Sequence, residues 1–144
     1  MLVADVLRSK GQDVVQTRPS ESVLHAVRML AQHRIGAVVV TNQWMKSVGI
    51  ISERDIVNAI ARDGAAALNA EVRDLMSSPI ITCSASDRID AALALMTLKK
   101  IRHLPVVEHG ELAGIISIGD LVKRRLDEKE LEASVLLDLS RMHV

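Results

Sequence analysis

Aromatic side chains are almost missing from this chain. It has one tryptophan, Trp44, and neither phenylalanine nor tyrosine. Proteins that bind single strands or read RNA on a sheet stack bases on aromatic platforms, so that class is disfavoured. Charge of one sign is missing too: 18 basic residues balance 18 acidic ones, and no general attraction to nucleic acid is expected. The single cysteine, Cys83, excludes an intramolecular disulfide and fits a reducing compartment. No apolar run approaches the ~18 residues of a membrane span, and the first residues, with Asp5 and Arg8, lack the apolar stretch of a secretion signal. A soluble, cytoplasmic chain with no membrane partner is the expectation. Apolar residues still make up 49% of the 144, enough for a real interior and too many for disorder.

What is present is a near-literal echo. Gly49-Ile50-Ile51-Ser52-Glu53-Arg54-Asp55 returns as Gly114-Ile115-Ile116-Ser117-Ile118-Gly119-Asp120. Each copy reads as a buried strand that turns directly into a helix. Ser-x-x-Asp at such a junction fits two roles. The serine can cap the helix with the aspartate at its third position. Alternatively, the exposed N–H groups of the helix start can hold a phosphate while the aspartate accepts hydrogen bonds from a ribose.

The echo belongs to a duplication that covers most of the chain. Val3-Ala4-Asp5-Val6-Leu7 is matched by Val72-Arg73-Asp74-Leu75-Met76, followed by polar breaks at 9–13 and 77–79. Short apolar runs at 14–17 and 80–83 are expected strands, with Ser20 and Ser86 capping helices over 21–33 and 87–99. Val23, Ala26, Val27 and Leu30 form one helical face, and Ile89, Ala92, Leu93 and Met96 form its counterpart. A hairpin follows each helix, giving β-α-β-β-α twice in an α/β (α+β) fold whose repeats pack sheet to sheet. The expected division is 1–63 for the first repeat, 64–71 for an Ala-rich connector, 72–127 for the second repeat and 128–144 for a helical tail. The tail's Val135, Leu136, Leu137 and Leu139 are too apolar for a free terminus and suggest a partner surface, with packing onto the same chain as the alternative.

Nothing in the sequence points to catalysis. His25, His33, His103, His109 and His143 lack zinc-ligand spacing, and no nucleophile elbow, Walker loop or His-Glu-x-x-His is present. Cys83, in an apolar run, reads as an inert core thiol. Among the cations, Arg34, Lys99 and Lys100 suit a helix C-terminus, whereas Arg54, Arg102 and His103 lie at junctions that can face a phosphate.

Three duplicated stretches carry a family resemblance: the Val-x-Asp opening, the Arg34-Ile35-Gly36 or Ile101-Arg102-His103-Leu104-Pro105-Val106-Val107 junction, and Gly-Ile-Ile-Ser-x-x-Asp. Over residues 2–126 the chain resembles a tandem pair of CBS domains, a Bateman module. The resemblance implies two clefts related by a pseudo-twofold axis and a disc-shaped homodimer. The implied ligands are adenosine compounds: AMP, ADP, ATP, NAD(H) or S-adenosylmethionine. By position, Asp55 and Asp120 would hold ribose, and Ser52 and Ser117 ribose or phosphate. Arg34, Arg54, Arg102 and His103 would face phosphate. Val15, Thr17, Val38, Ile81, Cys83 and Leu104 would frame the adenine. Pro105 in place of Val39, Cys83 in place of Thr17 and Ile118-Gly119 in place of Glu53-Arg54 imply unequal clefts. The resulting expectation is a stand-alone sensor that signals to a protein effector in trans. The alternative is an interaction protein whose Ser-x-x-Asp segments only cap helices.

Overall fold

The computed structural model describes residues 1–11 and 13–142. Gln12, read above as part of a polar break, and His143, read as a non-ligand, lie outside the described residues. In chain order the elements are α1 (Val3–Lys10), β1 (Gln16–Thr17), α2 (Val23–His33), β2 (Ala37–Thr41), β3 (Ser47–Ser52) and α3 (Glu53–Asp63). After a 3₁₀ turn, Gly64–Asn69, come α4 (Val72–Leu75), α5 (Ile89–Lys99), β4 (His103–Glu108), β5 (Glu111–Ser117) and α6 (Ile118–Met142). The two hairpins are built alike: β2–β3 and β4–β5 are antiparallel, with a register shift at Val40/Thr41 and at Val106/Val107.

Two expectations are corrected, each for a physical reason. The run 80–83 is not a strand. It makes one parallel bridge, Cys83 to Val106, while its counterpart keeps only Gln16–Thr17 beside β2. In the first copy the Val39 N–H donates to Val15 O at 3.3 Å. The equivalent residue in the second copy is Pro105, which has no N–H, so that rung of the ladder cannot form.

The helix caps also move. Ser22, not Ser20, caps α2 by accepting from the His25 N–H at 3.1 Å, and Arg88, not Ser86, occupies the cap of α5 without a side-chain bond. In both copies the residues before the helix are drawn into an antiparallel bridge, Ser22 with Glu71 and Leu2 with Arg88. The helix therefore starts two residues later than its sequence pattern suggests.

That bridging exchanges the leading helices. Val3, Val6 and Leu7 of α1 are buried with Ile89, Met96, Leu104, Val106, Ile116 and Leu121, all from the second copy. Val72 of α4 is buried with Val23, Leu30, Val38 and Ile51 of the first, and Leu75 and Met76 pack against the same group. Each core is completed by the helix that the sequence attaches to the other copy.

The contacts are tight at two glycines. A Cβ on Gly114 would stand 2.6 Å from Leu7 Cδ2, and one on Gly49 would stand 2.7 Å from Met76 Sδ and 2.9 Å from Ser77 O. A flexible methionine can yield, but the Ser77 backbone is pinned to Ile50 by hydrogen bonds of 3.2 and 2.8 Å. Gly49→Ala is therefore expected to destabilise the fold by about 2 kcal/mol. An unchanged urea midpoint would count against this packing.

Of α6, only Leu121 is fully buried. Its first half touches the body, with Arg125 3.6 Å from Asp90. Its second half leaves Leu131, Val135, Leu136, Leu137 and Leu139 between 48% and 67% exposed.

Candidate functional site

Both Ser-x-x-Asp segments form complete helix caps. At α3 the Asp55 N–H donates to Ser52 Oγ at 3.3 Å, while Asp55 Oδ2 accepts from the Ser52 N–H at 2.9 Å and from its hydroxyl at 3.0 Å. At α6 the Asp120 N–H donates to Ser117 Oγ at 3.1 Å, and Asp120 Oδ2 accepts from the Ser117 N–H at 2.8 Å. The capping interactions engage Oδ2 in each case. Among the described residues Asp55 Oδ1 has no hydrogen-bond partner.

The surroundings of the two caps differ. The α3 cap opens into a cleft of about 280 Å³. One side is the first copy: Gly36, Ile50, Ser52 and Asp55, with Glu53 and Arg54 at the rim. The other side comes from the second copy and the segment leading into it: Ser77, Pro79, Ile81, Lys100, Ile101, Arg102 and His103. The cleft thus combines the N–H groups of a helix start, two carboxylates (Asp55 within and Glu53 at the rim), three permanent cations and several aliphatic walls.

The α6 cap carries a further bond. Lys10, at the end of α1, places Nζ 2.5 Å from Asp120 Oδ2 and 2.9 Å from Ile115 O. Partial burial works against the Asp120 charge. The hydrogen bonds from Lys10 and Ser117 and the Lys10 charge outweigh it, holding the carboxyl below the usual aspartate value.

Of the residues singled out from the sequence, Ser52, Arg54, Asp55, Ile81, Arg102 and His103 meet in the cleft. Ser117 and Asp120 stand at the other cap. Arg34 is exposed, in the left-handed conformation that closes α2, at the position equivalent to Lys100 after α5. Val38 and Leu104 are fully enclosed in the two cores, Val15 packs against the first core, and Thr17 is buried with its hydroxyl unpartnered among the described residues. Cys83 is buried, and desolvation, reinforced by Asp87 and Glu108, pushes its thiol up to about 12, so it stays protonated at neutral pH.

His103 is half-buried against Gly36. A Cβ there would come within 2.9 Å of its Nε2. Burial first, then the Lys10 charge, lowers its pKa, so at neutral pH it offers hydrogen bonds and not positive charge.

Sequence reasoning passed over Lys10, Ser77 and Pro79, and assigned Lys100 only to the helix dipole. The duplication held a usable signal, because the polar break after α1 and the break containing Pro79 occupy matching positions. Among the described residues no cluster of His, Cys, Asp and Glu suits a metal ion, and no helix is long and apolar enough to cross a membrane.

These features define a duplicated α/β module in which the capped helix start of one copy faces the helix-to-strand junction of the other. The chain belongs to the CBS domain family, which residues 3–62 and 72–127 match. It is a tandem CBS pair similar to bacterial CBS proteins. A CBS-domain protein of Agrobacterium tumefaciens is similar at 45% identity, with a TM-score of 0.84 over 86% of this chain and 92% of that one. A CBS domain protein from Pyrobaculum aerophilum complexed with AMP is 29% identical, with a TM-score of 0.79 over 92% of this chain and 99% of that one. The CBS domain pair of protein MJ0100, in complex with 5′-methylthioadenosine and S-adenosyl-L-methionine, is 25% identical, with a TM-score of 0.78 over 90% and 98%. An uncharacterised protein of Methanopyrus kandleri is 34% identical over 113 residues. That match covers 78% of this chain and 58% of the relative's length.

Proposed function

We propose that this chain is a regulatory module that binds an adenine nucleotide in the Asp55 cleft and passes its state to a protein effector in trans. One observation carries the reading: the cleft is lined by the start of α3 and by Asp55, whose Oδ1 has no hydrogen-bond partner among the described residues, together with Lys100 and Arg102 of the other copy. A carboxylate that can accept from vicinal hydroxyls, beside cations that suit a phosphate, matches the polar pattern of a nucleoside phosphate. Ile50, Pro79, Ile81 and Ile101 supply apolar surface for the base. The AMP complex of the Pyrobaculum relative and the adenosine ligands of MJ0100 support the same ligand class.

A volume of about 280 Å³ lies at the small end of ligand sites, which favours AMP over a dinucleotide such as NAD(H) and leaves the outer phosphates of ATP at the rim. Because the cleft walls come from both copies, a bound nucleotide stabilises one relative packing of the repeats, and an effector can read that packing.

The competing reading, an interaction protein whose Ser-x-x-Asp segments only cap helices, draws on the fact that both caps are complete without a ligand. Calorimetric titration with AMP, ADP, ATP, NADH and S-adenosylmethionine separates the two. Binding of AMP with a Kd well below about 1 mM is expected; heats absent for every compound would leave the capping reading in place.

The exposed leucines of α6 are assigned to a homodimer seam, since an isolated helical extension is marginal in water unless its apolar face is covered. Removing residues 128–144 is expected to turn a dimer into a monomer in sedimentation. An unchanged association state would dismiss that seam.

A further inference from the structure

We infer that Lys10 is the residue that decides which of the two duplicated clefts takes a ligand: its ammonium group occupies the Asp120 side, leaving the Asp55 side as the binding site. This inference rests on the reading of the Asp55 cleft as an adenosine site.

The position of Lys10 is set by everything that holds α1 in place. The Val3 N–H donates to Asp87 O at 2.8 Å and the Ala4 N–H to Ala85 O at 2.9 Å, while Leu7 closes against Gly114. These contacts fasten the start and middle of α1 to the second copy and bring its last residue over the start of α6. There Nζ satisfies Asp120 Oδ2 and the Ile115 carbonyl together. Lys10 and the Ser117 N–H share Oδ2. Although Oδ1 has no hydrogen-bond partner among the described residues, the neighbouring positive charge makes it a poorer acceptor for a ribose hydroxyl than Asp55 Oδ1. A ligand there meets a carboxylate whose charge the lysine already compensates.

Among the described residues the other copy has no such cation in this role. The equivalent break supplies Pro79, which lines the open cleft and has no charge to offer Asp55. The asymmetry therefore arises from a residue 110 positions away from Asp120 in sequence. The pair is only partly shielded, with side-chain exposures of 36% and 27%, so substitution of Lys10 leaves little apolar surface uncovered.

AMP is the probe, with binding counted by calorimetry on the full chain. The wild type is expected to bind one AMP per chain, Lys10→Ala two, and Lys10→Arg one. Lys10→Ala combined with Asp55→Ala should retain one, at the Asp120 side. Two AMP per chain in the wild type, or one in a Lys10→Ala protein that melts like the wild type, overturns the role of Lys10 while leaving the adenosine reading intact. Absence of AMP binding in both proteins overturns the adenosine reading itself, and this inference with it. A ligand-free measurement guards against misfolding of the variant: the Asp120 carboxyl, followed by NMR, should titrate higher in Lys10→Met than in the wild type. An identical titration would show that Lys10 does not engage Asp120 in solution.

Discussion

Asp55→Ala is expected to weaken AMP binding by about 100-fold. A hydrogen bond to a charged acceptor contributes about 1.5–3 kcal/mol, so losing a carboxylate proposed to accept from two ribose hydroxyls is expected to cost about 3 kcal/mol. The same carboxylate caps α3 through Ser52, and loss of the cap lowers stability by about 1 kcal/mol. The two effects fall on different observables: affinity in calorimetry, and a melting temperature lowered by only a few degrees, about 2–4 °C. Asp55→Asn sharpens the assignment. Its amide oxygen can still accept from the Ser52 N–H, so the helix start is preserved while the charge is lost, and a drop in affinity of about tenfold is expected. If Asp55→Ala binds AMP as the wild type does, the ribose role of Asp55 is wrong, whatever the chain binds elsewhere.

Leu104→Ala is expected to damage the fold far more than the site. Leu104 is completely enclosed, packed with Val3, Met96, Val106, Ile116 and Leu121. Truncating a leucine in such surroundings costs about 2–5 kcal/mol, because the removed methyl groups lose their burial and the cavity closes only in part. A fall of about 10 °C in melting temperature follows. The neighbouring His103 lies in the cleft, but the Leu104 side chain points into the core, as alternation along a strand requires. AMP affinity, measured well below the transition, should therefore stay within about twofold of the wild type. A large loss of affinity with unchanged stability would return Leu104 to the adenine-wall role that family resemblance assigns it.

Much of this organisation is written in short-range patterns. The repeated Ser-x-x-Asp caps, the apolar faces of α2 and α5 and the two hairpins each depend on residues a few positions apart, so periodicity and turn chemistry reveal them directly. That the pattern occurs twice identifies a duplicated fold and, through its motifs, the CBS family. Even the missing strand of the second copy has a local cause, because Pro105 withdraws one backbone donor.

Tertiary structure alone decided how the copies share their parts. The exchange of α1 and α4 between cores depends on which helix reaches which sheet, and both helices carry nearly the same apolar pattern, so the sequence does not distinguish the two arrangements. The two halves of the cleft are likewise far apart in the chain, with Asp55 on one copy and Arg102 on the other. The contact between Lys10 and Asp120 is the sharpest case. Its strength depends on distance and on partial removal of solvent, which only the packing of α1 against β5 and α6 establishes.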